Sequence, residues 1–361
     1  MPDKPLPPPG LAGAPPPARP PPSVGSALPP PPGLPPPPLA PGALPPLPPG
    51  LPPPPAWPAQ AAMTPLSAPV PHALEVSALH PAVRKLDAVV VDCVRRTRTC
   101  TSLYLFVGDP GPYRAGQFVS IDPHQFPELA HWIAFLEDKK GKAELPRAYS
   151  LQSAPGEKCL SICVEAEDYQ PARGAWPPLL SPFLAFSALK GRELVVTGIT
   201  GSYTVPDDVD RATDHVLHVV GGAGVVPSYS ILKDELKNGK HARVRHTVIT
   251  VSATVADLVL REQLEALARA YPDRLQLVPV VTDEDAPGYP RSQLSVELVR
   301  KHLGDPSTVR VFASGASITR HDRRQAREQG SEPAPRFLES VTAMLDELGV
   351  PREHQRREAF G

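Results

Sequence analysis

The chain has 361 residues, 53 of them proline, and its 37 basic and 38 acidic side chains leave a net charge of −1. That balance excludes a generic nucleic-acid binder, and no apolar run of about eighteen residues or more is present to cross a membrane as a helix. Four cysteines in a chain of this length do not make a disulfide scaffold.

Residues 1–72 carry 32 of the 53 prolines and only three charges, Asp3, Lys4 and Arg19. The proline runs at 35–38 and 52–55 lack backbone donors and fix φ near the polyproline value. Too little bulky apolar surface is present to offset the entropy of ordering, so residues 1–78 read as a disordered Pro-rich tail. Its PxxP spacings also suit SH3- or WW-like aromatic grooves, and Met63 offers an alternative start. Neither a basic start nor a following apolar stretch marks a signal peptide, which points to the cytoplasm.

From about residue 86 the pattern turns strand-like. LDAVVVDCVRR, CTSLYLFV, GQFVSID, RAYSLQSA, CLSICVEAE and RELVVTG are six short runs rich in Val, Ile, Tyr and Phe, punctuated by Gly, Pro and Asp. They fit a six-stranded antiparallel barrel or sandwich over residues 79–210, of which the barrel is the reading adopted. One segment departs from the series: in PELAHWIAFLEDKK, Leu129, Trp132, Ile133 and Leu136 fall at helical spacing.

From about residue 214 the rhythm becomes strand, helix, strand, helix. HVLHVVGG leads to PSYSILKDELK, RVRHTVITVS to ADLVLREQLEALARAY, RLQLVPVVT to SQLSVELVRKHL, and TVRVFASG to PRFLESVTAMLDEL. Such alternation predicts a doubly wound parallel-sheet α/β domain over 211–361, binding ligands outside the carboxyl ends of its strands. Residues 318–335 are polar, basic and without apolar period, and read as a long loop able to attract an acidic partner.

Two features carry chemistry. In HVVGGAGVVPSYS a strand ends at Gly221, and Gly222 and Gly224 let the backbone approach a ligand. A helix opening at Pro227, as its first residue, would then aim free N–H groups and its positive end at a pyrophosphate. This is not the GxGxxG fingerprint, because Pro227 holds the third glycine position. In PRAYSLQSA, Arg147 and Tyr149 share one strand face, where a cation beside an aromatic ring suits a flat anionic cofactor or an ordinary snorkelling arginine.

The order and spacing of these features resemble the ferredoxin–NADP reductase superfamily of flavoproteins, over roughly residues 85–361. Arg147-Ala148-Tyr149-Ser150 matches the family's R-x-Y-S flavin motif in full. The resemblance implies that Arg147 pairs with the flavin pyrophosphate, Tyr149 packs on the isoalloxazine and Ser150 bonds near its N5. PLLSPFL, with Leu179, Leu180, Ser181 and Leu184, is similar to the G-x-x-S-x-x-L phosphate helix, but Pro178 stands where the family has glycine. GSYTVP at 201–206 resembles the last barrel strand. Gly221, Gly222, Gly224 and Pro227 match G-G-x-G-x-x-P, which places Ala223 and Val225 in the same nicotinamide loop. ASGAS departs from C-G-P: Ser314 replaces the cysteine, Gly315 is kept and Ala316 replaces the proline. REAFG resembles the E-x-F chain end, so Glu358 is implied near Ser150 and Phe360 over the flavin, with one extra residue, Gly361.

The implied activity is transfer of a hydride from NADH or NADPH to bound FAD, with FMN as the alternative, and onward transfer of electrons to a separate acceptor protein. Ser150, Glu358 and Ser314 are the candidate catalytic residues. Cys93, Cys100, Cys159 and Cys163 lack the spacing of an iron–sulfur site, and no haem, zinc or other metal pattern is present. Absence of a basic residue close to Thr254 favours NADH. Reduction of free flavin or quinone, and a weakly active redox-sensing adaptor, are the competing functions.

Overall fold

The computed structural model describes residues 84–166, 169 and 176–360. The Pro-rich tail, Met63 and Gly361 lie outside the described residues, which all belong to one compact unit, Val76–Gly361.

Six antiparallel strands form the first half: β1 (Lys85–Arg95), β2 (Cys100–Val107), β3 (Phe118–Ile121), β4 (Arg147–Ser150), β5 (Leu160–Glu165) and β6 (Glu193–Thr200). Their order is β4-β3-β6-β1-β2-β5, and a bridge from Leu151 to Ile162 joins the two ends, closing the sheet into a barrel. Alternation sets the inside: on β1, Leu86, Ala88 and Val90 are buried while Lys85 and Asp87 are exposed. With Leu103, Leu105, Val119, Ile121, Ile162, Val164 and Val196 they make the barrel core.

Helix α1 (Ala130–Lys140) lies between β3 and β4, opened by 3-10 turns and ended by Gly141 at φ +63. Ile133 and Leu136 are buried, as is Leu129 in the preceding turn, but Trp132 is 56% exposed. Leu129 sits outside the α-helix proper, so Ile133 and Leu136 set the buried stripe and Trp132 falls at its edge. Its ring packs edge-on against Phe135, and Phe135 against Trp176. Between β5 and β6 runs the short helix α2 (Leu180–Phe186).

After a single turn, α3 (Val209–Ala212), the chain forms five parallel strands: β7 (His215–Gly221), β8 (Arg245–Ser252), β9 (Leu275–Val281), β10 (Arg310–Ala316) and β11 (Gln355–Phe360). Helices α4 (Val225–Lys237), α5 (Arg261–Ala270), α6 (Val296–Leu303), α7 (Arg320–Glu328) and α8 (Phe337–Glu347) connect them. The order β11-β10-β7-β8-β9 puts the topological switch beside β7, where ligands bind in open parallel sheets.

Three local expectations are corrected. The segment 318–335 contains α7, a helix without an apolar stripe that is fixed at its start by a Thr319–Asp322 capping box. The chain end, outside the four strand–helix pairs of the sequence pattern, is a fifth strand, and its polar residues suit the sheet edge it occupies. Helix α4 opens at Val225, so Pro227 is its third residue; the missing N–H still falls in the first turn, where it costs no helical bond.

All four cysteines are free thiols, Cys100 and Cys163 buried. Among the described residues, no helix is long and apolar enough to cross a membrane, and no group of three metal-ligating side chains is assembled.

Candidate active site

Four chain segments meet at the carboxyl ends of β7 and β10. Strand β4 supplies Arg147, Ala148, Tyr149 and Ser150, the first two exposed and the last two buried. Tyr149 belongs to the barrel core, and its Oη is hydrogen-bonded to Ser181 Oγ at 3.0 Å. Burial outweighs that bond and pushes the phenol up to about 12, so the hydroxyl stays protonated. Leu179, Leu180 and Ser181 form the start of α2, with Leu180 buried. The Arg147 guanidinium is 59% exposed and 3.8 Å from the Glu144 carboxylate, which also accepts from Lys140.

Ser150 Oγ donates to Glu358 Oε1 at 2.5 Å, across 208 positions of sequence. Strand β11 carries Glu358 as the register partner of Ser314 on β10, and Phe360 as that of Ala316. The Glu358 carboxyl is raised from the usual range to about 7, because burial penalises its charge more than the Ser150 bond favours it. It therefore exchanges a proton near neutral pH, bonded to the serine of the R-x-Y-S strand.

Ser314 is fully buried, and among the described residues its Oγ has no hydrogen-bond partner. The chain packs tightly around it. A Cβ on Gly224 would stand 2.3 Å from the Ser314 carbonyl oxygen, and one on Gly315 would stand 2.5 Å from the Phe337 ring. Gly222 takes φ +53, which a side chain rarely adopts, and turns the backbone from β7 into the 3-10 turn that opens α4. Ala223, Val225 and Pro227 are buried in that turn and helix start. Thus Ser150, Glu358, Ser314 and Gly224 are brought together, while Arg147 is exposed at the start of its strand and Phe360 is half-buried at the sheet edge.

Three residues outside the motifs join this end of the sheet. Phe337 fills the space beneath Gly221 and Gly315. Beyond β8, the Asp257 carboxylate accepts from Thr254 Oγ1 at 2.7 Å and Glu284 accepts from the Val255 N–H. The acidic residue at 257 was available in the sequence as a carboxylate just after the second strand; Glu284 is distant and carries no local signal.

Residues 219–319 match the family model described as an oxidoreductase NAD-binding domain. Over those residues the chain is similar to oxidoreductases that carry an NAD-binding domain. It is 29% identical over 105 residues to an NADH nitrate reductase of Volvox carteri, covering 28% of this chain and 12% of that protein. To an NADH-cytochrome b5 reductase 2 of Coccidioides immitis it is 24% identical over 144 residues, 39% of this chain and 42% of the relative. The chain thus spans less than half the length of these curated relatives. A ferredoxin–NADP+ reductase from Plasmodium falciparum shares the fold, with TM-score 0.55 and 15% identity over 76% of this chain and 96% of that one.

Proposed function

We propose that this chain is an NAD(P)H-dependent flavoprotein reductase that takes a hydride from the nicotinamide onto bound FAD and delivers electrons singly to a separate carrier protein. The flavin, when bound, supplies the hydride acceptance and the one-electron release. The observation that carries the reading is the Ser150–Glu358 bond beside Ser314 and Gly224, which joins the R-x-Y-S strand to the nicotinamide-type loop and the chain end.

The donor set fits the cofactor. Arg147 offers an exposed cation for a pyrophosphate and exchanges its Glu144 contact for it; Ala148, between two functional side chains, adds no bulk. Tyr149 holds an aromatic wall in place through Ser181, and the backbone at Leu179, Leu180 and Ser181 receives the phosphate end. Phe360, at the end of β11, would cover the ring from the chain end. Gly222, Ala223, Gly224, Val225 and Pro227 form the cradle for the dinucleotide pyrophosphate, where the first-turn N–H groups of α4 are free of helical partners. Ser314 and Gly315 would border the nicotinamide when it is bound. Ser150 Oγ and Glu358 Oε1 would hold an exchangeable proton for the bound flavin, and the buried strands around them would exclude water.

Asp257 and Glu284 favour NADH, because two carboxylates beyond the second strand suit a ribose hydroxyl and repel a 2′-phosphate. The cytochrome b5 and ferredoxin reductases among the similar proteins support a separate electron-transfer protein as acceptor. The test is the visible spectrum of the purified protein, followed by anaerobic addition of NADH or NADPH. A bound-flavin spectrum bleached by NADH at least tenfold faster than by NADPH is expected. Flavin that neither nucleotide bleaches would favour a redox-sensing role, and protein that stays colourless after FAD or FMN is supplied would refute the reading.

A further inference from the structure

A cavity of about 350 Å³ opens between the barrel and α4, and none of the residues of the flavin or nicotinamide motifs lines it. Arg96, Tyr104, Gln152 and Ser161 wall it from the barrel; Tyr229, Lys233 and Lys237 wall it from one face of α4, four residues apart. Tyr104 and Ser161 are register partners on β2 and β5, so the barrel wall is rigid sheet.

The chemistry of this wall is cationic and pre-positioned. Arg96 donates from Nε to Ser102 Oγ at 2.8 Å and from Nη2 to Tyr104 Oη at 2.7 Å. Ser102 in turn donates to Gln152 Oε1 at 2.6 Å, which completes the support. The guanidinium is thereby fixed by hydroxyls, and among the described residues it makes no ion pair with a carboxylate. Lys237 likewise has no such pair. Lys233, whose ammonium is discouraged by burial, is held by Glu157 and lies 5.0 Å above the Tyr229 ring. Glu157 is the one carboxylate in the lining, and it is occupied by Lys233 and by the Ala154 N–H. Three cations therefore face one engaged carboxylate. In the same wall, Ser161 is 1% exposed and its hydroxyl has no hydrogen-bond partner among the described residues.

A buried hydroxyl without a partner is costly to fold, and a planar guanidinium with a free edge is suited to bidentate capture of an oxyanion. The volume lies at the lower end of the range for small-molecule sites. We infer that this cavity is a binding site for a small organic oxyanion, carboxylate or phosphate, held by Arg96, Lys237 and the Ser161 hydroxyl. Its walls come from both halves of the molecule. Helix α4 runs from the Gly224 turn at one end to the cavity at the other, so an anion seated here also fixes the helix that opens at the active site.

The inference is independent of the reductase reading and is tested separately from it. Succinate and inorganic phosphate are titrated calorimetrically into the purified full chain, with sodium chloride holding ionic strength constant. Saturable one-to-one binding of at least one probe is expected, with the tighter of the two assigning carboxylate or phosphate. Arg96→Gln should weaken it at least tenfold. Lys237→Gln, at an exposed position that folding does not need, should weaken it several-fold with the flavin content unchanged. Absence of saturable binding for both probes, or affinity undiminished in both variants, overturns the site.

Discussion

Glu358 ties the chemistry of the candidate site to pH. In the unfolded chain its carboxyl titrates in the ordinary range near 4.5, whereas in the folded protein burial raises it to about 7. Between those values the native state holds a proton that the unfolded state has lost, so this group's contribution to stability falls as pH rises from about 4.5 through 7 and is constant above that. Glu358→Gln removes the titration while keeping a hydrogen-bonding partner for Ser150. Its thermal midpoint should vary less than that of the wild type between pH 5 and 8, and the rate of flavin bleaching by NADH should lose an inflection near pH 7. Identical pH profiles in the two proteins would show that the proton does not reside on Glu358. The partnership itself was legible in the sequence, because R-A-Y-S and the E-A-F chain end each resembled a family motif. Asp257 and Glu284 were not legible as a pair, since only the fold brings residues 27 positions apart to one strand end.

Elements announced themselves where burial is one-sided. Strands β1, β3 and β6 bury alternate residues, turn residues separate all six barrel strands, and each appears within a few residues of its expected place. Helix α7 gave no such signal. Ala326 is its only buried side chain and its one apolar residue, while Arg320, Arg323, Arg324 and Arg327 share one face, so no apolar stripe exists to detect. What fixes it is local: Asp322 N–H donates to Thr319 Oγ1 at 3.1 Å, Thr319 N–H donates to Asp322 Oδ2 at 2.8 Å, and Arg324 pairs with Glu328 one turn on. A helix held by its cap rather than by packing is sensitive to the cap. Thr319→Ala should cost about 1 kcal/mol locally, which is about a fivefold faster amide exchange over residues 320–328, with the rest of the chain unaffected. Unchanged exchange there would mean that Arg336, 3.7 Å from Asp322, carries the helix instead. Strand β11 escaped the pattern for a related reason: at a sheet edge beside β10 it has polar residues on most of its length.

At the scale of the whole molecule, the barrel and the parallel sheet share apolar clusters rather than merely touching. Cys100 and Cys163 of the barrel pack with Val220, Ala223, Val225 and Tyr229, while Ala115, Tyr203 and Val205 pack with Val216, Ile231 and Phe312. Polar ties reinforce both seams: Ser230 Oγ donates to the Ser153 carbonyl at 2.6 Å, and Tyr203 Oη is bonded to Ser228 Oγ, which also meets the buried His218 ring. Burial drives His218 down to about 3 and holds His246, 3.1 Å away, neutral as well, so this seam gains no charge across the physiological range. Exposing either half would uncover side chains that are fully buried in the other, at a cost of about 25 cal/mol for each Å² of apolar surface. The two halves should therefore unfold together although they are different architectures. Trp132 and Trp176 report on the barrel half, and far-ultraviolet circular dichroism reports mainly on the helices that flank the parallel sheet. In a urea titration the two signals should share one midpoint, and Ser230→Ala should shift both equally. Separate midpoints, or a shift confined to one signal, would mean that the seams are weaker than their burial indicates and that each half folds independently.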